Sequence, residues 1–269
     1  MEPTMATQPF ADPQPFADPQ PFADHSRRGF LRLAASVAAV LCVVGSPLAA
    51  WGQNTGAAPL KIGIVGAGRE GGALGKLLVK AGHPVMFSSR HPEELKGLVA
   101  EAGSAAKAGT VADAIAFGDV VLIVLPYTAM QQIGNDHAAA LAQKMLVIDV
   151  SNPIARRDGA DFVGKVAAEG GAGLATAKML PGSHIVRALN AIGYMKIGAA
   201  AHRAGEPLGV PIAGDDPKAV ALASDLIRQM GFEPVLIGGL AKGKYLVPGT
   251  PLSGEHTPDE LRKIAAGLG

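Results

Sequence analysis

The chain has 269 residues, enough for one α/β domain with a smaller appendage, and its 24 basic against 23 acidic side chains leave a net charge of +1. No basic patch or stripe stands out, which argues against nucleic-acid binding. Cys42 is the only cysteine, which excludes a disulfide framework, while 35 glycines beside 4% aromatic residues point to thin, closely packed layers.

Residues 8–25 repeat a hexapeptide three times, as QPFADP, QPFADP and QPFADH. Pro-led copies with one Phe each cannot build a core, so residues 1–25 are expected to form a disordered leader. Ser26, Arg27, Arg28, Gly29, Phe30 and Leu31 follow, then an apolar run from Leu33 to Val44. Paired arginines ahead of such a run look like a twin-arginine export signal over residues 26–52. The run is too short for a comfortable permanent anchor, and Ala50-Trp51-Gly52 offers a small-x-small cleavage site. Leu41, not a small residue, precedes Cys42, against a lipoprotein. The expectation is export to the periplasm, with the twin-arginine machinery as a partner. An uncleaved membrane tether or partial retention in the cytoplasm is the alternative.

Lys61–Arg90 reads KIGIVGAGREGGALGKLLVKAGHPVMFSSR. An apolar strand over 61–65 enters a turn with Gly66, Gly68 and Gly71, and a helix over 70–81 leads to a second strand over 84–88. Gly66 permits the tight turn, Gly68 lets the backbone approach a pyrophosphate, and Gly71 lets helix and strand pack closely. The pyrophosphate would sit at the helix N-terminus beside Arg69 and Glu70. A binder selective for NAD places a carboxylate at the end of the second strand to hold the ribose 2′-hydroxyl. Here stand Ser88, Ser89 and Arg90, two hydroxyls and a guanidinium that suit a 2′-phosphate. The expected cofactor is therefore NADP(H).

Further strands are expected over 119–125, 145–150, 184–189, 208–213 and 233–237, and helices over 92–102, 110–116, 128–142, 172–179 and 217–230. The strand runs are continuous and not alternating, as in strands covered on both faces. This rhythm predicts an α/β fold of the Rossmann type, a doubly wound and mostly parallel sheet. The nucleotide-binding domain is placed at 60–180 and a small C-terminal α/β extension at 181–269.

Open α/β sheets bind ligands at the carboxyl ends of their strands. Besides the Gly-rich turn, two loops belong there: Leu125-Pro126-Tyr127-Thr128, expected to pass along the cofactor, and Asp149-Val150-Ser151-Asn152-Pro153, where Ser151 and Asn152 offer polar groups for the nicotinamide end. A strand stop with a solvent-facing Tyr127 is the plain alternative for the first loop, and turn formation for the second. Asn190, an amide at the end of an apolar strand, suits the orientation of a carboxamide or a substrate carbonyl. His184 near the start of that strand reads as structural. His83, His91 and His137 do not fall at metal-ligand spacing, and no metal site is expected. The absence of a hydrolytic triad or paired carboxylates fits hydride transfer, where the cofactor does the chemistry.

Taken together, the segments GIVGAGREGGALGKLLVKAGHPVMFSSR, VLIVLPY, LVIDVSNP, LPGSHIVRALNAIG, VPIAGDD and GFEPVLIGGLAKGKYLVPGTPL resemble the NADP oxidoreductases dependent on coenzyme F420, a deazaflavin. The nucleotide domain of transmembrane ferric reductases shares that fold, and that of pyrroline-5-carboxylate reductases is related. The resemblance covers roughly residues 60–253. It implies NADP on the Gly-rich turn, its 2′-phosphate at Ser89 and Arg90, and the nicotinamide near the two loops and Asn190. It further implies hydride transfer between the nicotinamide and a stacked deazaflavin. Leu189-Asn190 stands where the family often has Phe-Asn, so one wall of the acceptor pocket differs. An NADPH-dependent reductase of a small imine or carbonyl, a flavin or ferric reductase, and a non-catalytic NADP-binding protein are the other readings, and a homodimer is compatible with all of them.

Overall fold

The computed structural model describes residues 58–268. The leader and the twin-arginine segment lie outside the described residues. Eight strands form one sheet: β1 Ile62–Val65, β2 Val85–Ser88, β3 Ala106–Gly109, β4 Val120–Ile123, β5 Leu146–Asp149, β6 Ile185–Arg187, β7 Gly209–Gly214 and β8 Glu233–Gly238. Their order is β3-β2-β1-β4-β5-β6-β7-β8. The first six follow the strand order of a Rossmann sheet. All neighbours are parallel except β6 and β7, so β7 and β8 extend the sheet as a parallel pair of opposite sense.

Continuous apolar strands arise because both faces are covered. Ile62, Ile64, Val120, Leu122, Leu146 and Ile148 pack into one core, together with Leu74 and Leu78 of α1 (Arg69–Lys80) and Leu226 and Ile227 of α9 (Pro217–Gln229). Their strand neighbours Val65, Val121, Ile123 and Val147 face a second core with Met130, Ile133 and Leu141 of α4 (Met130–Leu141). Gly63 lets α3 (Val111–Phe117) sit directly on β1: a Cβ there would lie 2.1 Å from the Ala114 carbonyl oxygen.

The remaining helices are α2 Lys96–Ala102, α5 Ala155–Asp158, α6 Ala160–Ala168, α7 Ala172–Met179, α8 Tyr194–Ala200 and α10 Pro258–Ala266. Of the strands and α-helices, five were not expected: β3, α5, α6, α8 and α10. Strand β3 is an Ala-Lys-Ala-Gly edge strand with two exposed central residues, so its pattern carries almost no apolar signal. Helix α10 does carry a signal, since Thr257 and Glu260 form a capping box with Pro258 at the first position. Strand β6 ends at Arg187, two residues short of the run expected over 184–189, and the chain bends at Leu189, whose φ is 66°.

Candidate active site

The turn after β1 is built by three glycines under three different constraints. Gly66 has φ 103°, and a Cβ on it would sit 2.3 Å from the Val124 carbonyl oxygen, so the turn nests against the end of β4. A Cβ on Gly71 would lie 2.1 Å from the Gly66 carbonyl oxygen, which means that α1 rests on the turn itself. Gly68, the N-cap of α1, has nothing within 4 Å of its Cβ position and no side-chain cap. The first turn of α1 therefore opens onto free space with its N–H groups outward, an arrangement suited to an anion.

Ser88 supports this turn from beneath. It is fully buried, donates to the Ile64 carbonyl oxygen at 2.9 Å and accepts from the Gly66 N–H at 3.4 Å. Of the three polar residues assigned from sequence to a 2′-phosphate, Ser88 thus has its hydroxyl committed inward. Ser89 and Arg90 are the ones that reach the surface at the end of β2.

The turn forms one wall of a cleft at the carboxyl ends of the strands. Gly68, Arg69, Glu70 and Gly71 face Val124, Leu125 and Pro126 after β4, and Val150, Ser151 and Asn152 after β5, with Ile154 and Arg157 closing the rim. Eight residues singled out from sequence are brought together here. Arg69 is anchored outward, since its guanidinium donates to the Tyr194 hydroxyl at 2.8 Å and lies 5.6 Å from that ring's centre. Burial pushes the Glu70 carboxyl up to about 7, with the Arg157 charge opposing. Above that pH an ionised Glu70 would repel a phosphate at the helix end, and below it the neutral acid would not. Affinity for NADPH should therefore fall as pH rises through about 7. Calorimetric titration should show Glu70→Gln removing that fall, and an unchanged pH profile would count against a phosphate beside Glu70.

Tyr127 corrects an expectation. It was placed along the cofactor or facing solvent, but it is fully buried and turned away from the cleft. Its hydroxyl meets the Ala172 carbonyl oxygen at 2.8 Å and Thr176 Oγ1 at 2.9 Å, and its ring meets Phe162 edge-on. The residues around it explain this: the one-turn helix 127–129 starts directly after Pro126 and rolls the side chain under the sheet toward α7. Burial, aided by the Asp149 charge, raises the pKa of this phenol, so it stays neutral.

Behind the cleft lies a polar cluster within the core. Arg187 on β6 and Asp149 at the end of β5 are both fully buried and paired through Nη1 and Oδ2. Asp149 Oδ2 also accepts from Thr176 Oγ1 at 2.7 Å, and Oδ1 from the Ser151 N–H at 2.9 Å. Arg187 Nη2 donates to Asn152 Oδ1 at 3.2 Å and to the Leu246 carbonyl oxygen at 3.3 Å. Asn152 Nδ2 donates to the Asn190 carbonyl oxygen, and Asn190 Nδ2 to the Asp149 carbonyl oxygen, both at 2.9 Å. Asn190 is 4% exposed, and its Oδ1 has no hydrogen-bond partner. The sequence places Asp149 and Arg187 at the head of two candidate segments without giving either a role, and it singles out neither Thr176 nor Arg157. A usable signal existed, because a charge inside the apolar runs LVID and IVR must find a buried partner. His184, at the opposite end of β6, pairs with Asp216 at 2.5 Å, away from the cleft.

Residues 61–153 match the family model described as NADP oxidoreductase, coenzyme F420-dependent. The metalloreductase STEAP3 of Rattus norvegicus is 28% identical over 193 residues, 68% of this chain and 35% of the relative. The chain thus spans about a third of that relative's length. A hypothetical protein from Sinorhizobium meliloti superposes with a TM-score of 0.61 at 25% identity, over 74% of this chain and 95% of that one. A structure from Arthrobacter sp. FB24, described as an F420-dependent NADP-reductase, superposes with a TM-score of 0.59 at 20% identity, over 69% and 87% of the two chains. The last likeness is one of fold.

Proposed function

We propose that this chain, whose residues 61–153 match the coenzyme F420-dependent NADP oxidoreductase family model, binds NADPH in the cleft and passes its hydride to a flat-ring acceptor of the deazaflavin class. The observation that carries the proposal is the open space over Gly68 at the N-terminus of α1, framed by two glycines that tolerate no side chain. A pyrophosphate there would receive the free N–H groups of the first helical turn. Ser89 and Arg90 would hold the 2′-phosphate, and Leu125, Pro126, Ser151 and Asn152 would line the path toward the nicotinamide. The orphaned Oδ1 of Asn190 suits the amino group of the nicotinamide carboxamide, since a buried acceptor without a donor is costly until one arrives. When bound, NADPH supplies the hydride; the protein fixes its position and keeps the buried half of the cleft dry. The acceptor assignment draws on the family description, and export ahead of this chemistry on Arg27 and Arg28.

Binding and turnover test this separately. NADPH should bind more tightly than NADH in calorimetry, and Arg90→Asp should weaken NADPH while leaving NADH nearly unchanged. Equal affinity for the two nucleotides would remove the 2′-phosphate assignment. NADPH absorbance followed with coenzyme F420, free flavins, ferric chelates and small imines should fall fastest with the deazaflavin. Faster oxidation by a ferric chelate or an imine would reassign the acceptor, and none at all would leave a nucleotide-binding protein.

A further inference from the structure

The buried pair of Arg187 and Asp149 makes no direct contact with the cleft, both side chains being 0% exposed. Stability alone does not account for them, because well-packed apolar residues of similar volume commonly do as well as a buried ion pair. What apolar residues cannot do is join two separate groups in fixed geometry. One nitrogen of the Arg187 fork holds Asp149, and the other holds Asn152 Oδ1. Asn152 in turn holds the backbone of Asn190, while the Asp149 carbonyl oxygen holds the Asn190 amide. The four residues close a ring of hydrogen bonds.

That ring determines which atom is left over. Asn190 Nδ2 is consumed by Asp149, so the amide cannot flip without losing a bond, and Oδ1 remains as its free acceptor. Leu189, held at φ 66°, is the bend that brings Asn190 back under the end of β5. An L-residue rarely takes that backbone region unless its surroundings impose it.

We infer that Arg187 and Asp149 are positioning residues for the nicotinamide end of the cleft: through Asn152 and the Asp149 backbone they aim Asn190 Oδ1 at the carboxamide of the nicotinamide. The inference rests on the proposal that the cleft holds NADPH. Lysine cannot replace Arg187, because an ammonium is a point charge and lacks the planar fork that bridges two acceptors.

The test compares NADPH with 2′,5′-ADP, which carries the adenosine half and no nicotinamide, by calorimetry on Arg187→Lys. NADPH should bind about tenfold more weakly, the effect of one misaligned hydrogen bond, while 2′,5′-ADP should bind as in the wild type. Equal weakening of both ligands would overturn the positioning role, as would an unchanged NADPH affinity. Asn152→Ala leaves the ion pair intact on a partly exposed residue, and it covers the case in which Arg187→Lys fails to fold. It should give the same split between the two ligands, and its failure to do so would overturn the inference. In the double variant the NADPH losses should be less than additive, since Arg187 acts through Asn152; full additivity would overturn it. Wild-type protein that binds neither ligand would sink the cofactor proposal itself.

Discussion

Replacing Arg187 by Met while Asp149 stays in place should lower the unfolding free energy by about 3–5 kcal/mol, the usual consequence of leaving a buried charge without its partner. For a fold of this size that corresponds to roughly 6–20 °C in melting temperature. Both side chains are completely buried, and Asp149 would keep only the Thr176 hydroxyl and the Ser151 N–H. The companion variant separates charge from shape. Asp149→Leu combined with Arg187→Met removes both charges, and most of the lost stability should return. Urea unfolding of the wild type, the single variant and the double variant measures this directly. A loss below about 1 kcal/mol in the single variant would mean that water reaches Asp149 and that the cluster is not a closed network. Recovery of stability in the double variant without recovery of NADPH affinity is the expected pattern, because the fork that aligns Asn152 would still be missing.

This cluster also marks the limit of what the sequence disclosed. The strands β1, β2, β4 and β5 were legible because burial on both faces turns the pattern into short unbroken apolar runs, and the glycines of the first turn were legible because each meets a separate steric demand. Strand β3 was not, since an exposed edge of Ala, Lys and Gly satisfies backbone pairing without any apolar pattern. The cleft was legible at the level of its three loops, which the topology gathers at one end of the sheet whatever their side chains do. The orientation of individual side chains was not. Ser88 and Tyr127 belong to the right loops, yet one points under the turn and the other under the sheet, and the choice is made by packing partners 24 and 45–49 residues away in sequence. Asp149 and Arg187 are 38 residues apart and meet only because β5 and β6 are neighbours. Strand order therefore had to be known before the pair could be seen.

Two glycines of the same turn should differ in stability, though not in ligand loss, when each receives the same methyl group. At Gly68 the backbone already has φ −71°, which alanine accepts, and nothing lies within 4 Å of the new Cβ. Gly68→Ala should therefore melt like the wild type. If the pyrophosphate lies against this backbone, the methyl group occupies its place, and NADPH affinity should fall by about a hundredfold, equivalent to about 3 kcal/mol. At Gly71 the new Cβ would stand 2.1 Å from the Gly66 carbonyl oxygen, a backbone atom that cannot swing aside. Helix α1 would have to lift from the turn, at the cost of about 1–3 kcal/mol typical of overpacking, and the displaced N–H groups would lose the ligand as well. Melting curves paired with NADPH calorimetry distinguish the cases. Normal NADPH binding by Gly68→Ala would show that no phosphate approaches this turn and would remove the observation on which the proposed function stands. An unchanged melting temperature for Gly71→Ala would show instead that the contact between helix and turn is loose. The Gly68 result alone bears on chemistry, because there the folded protein itself leaves the methyl group room.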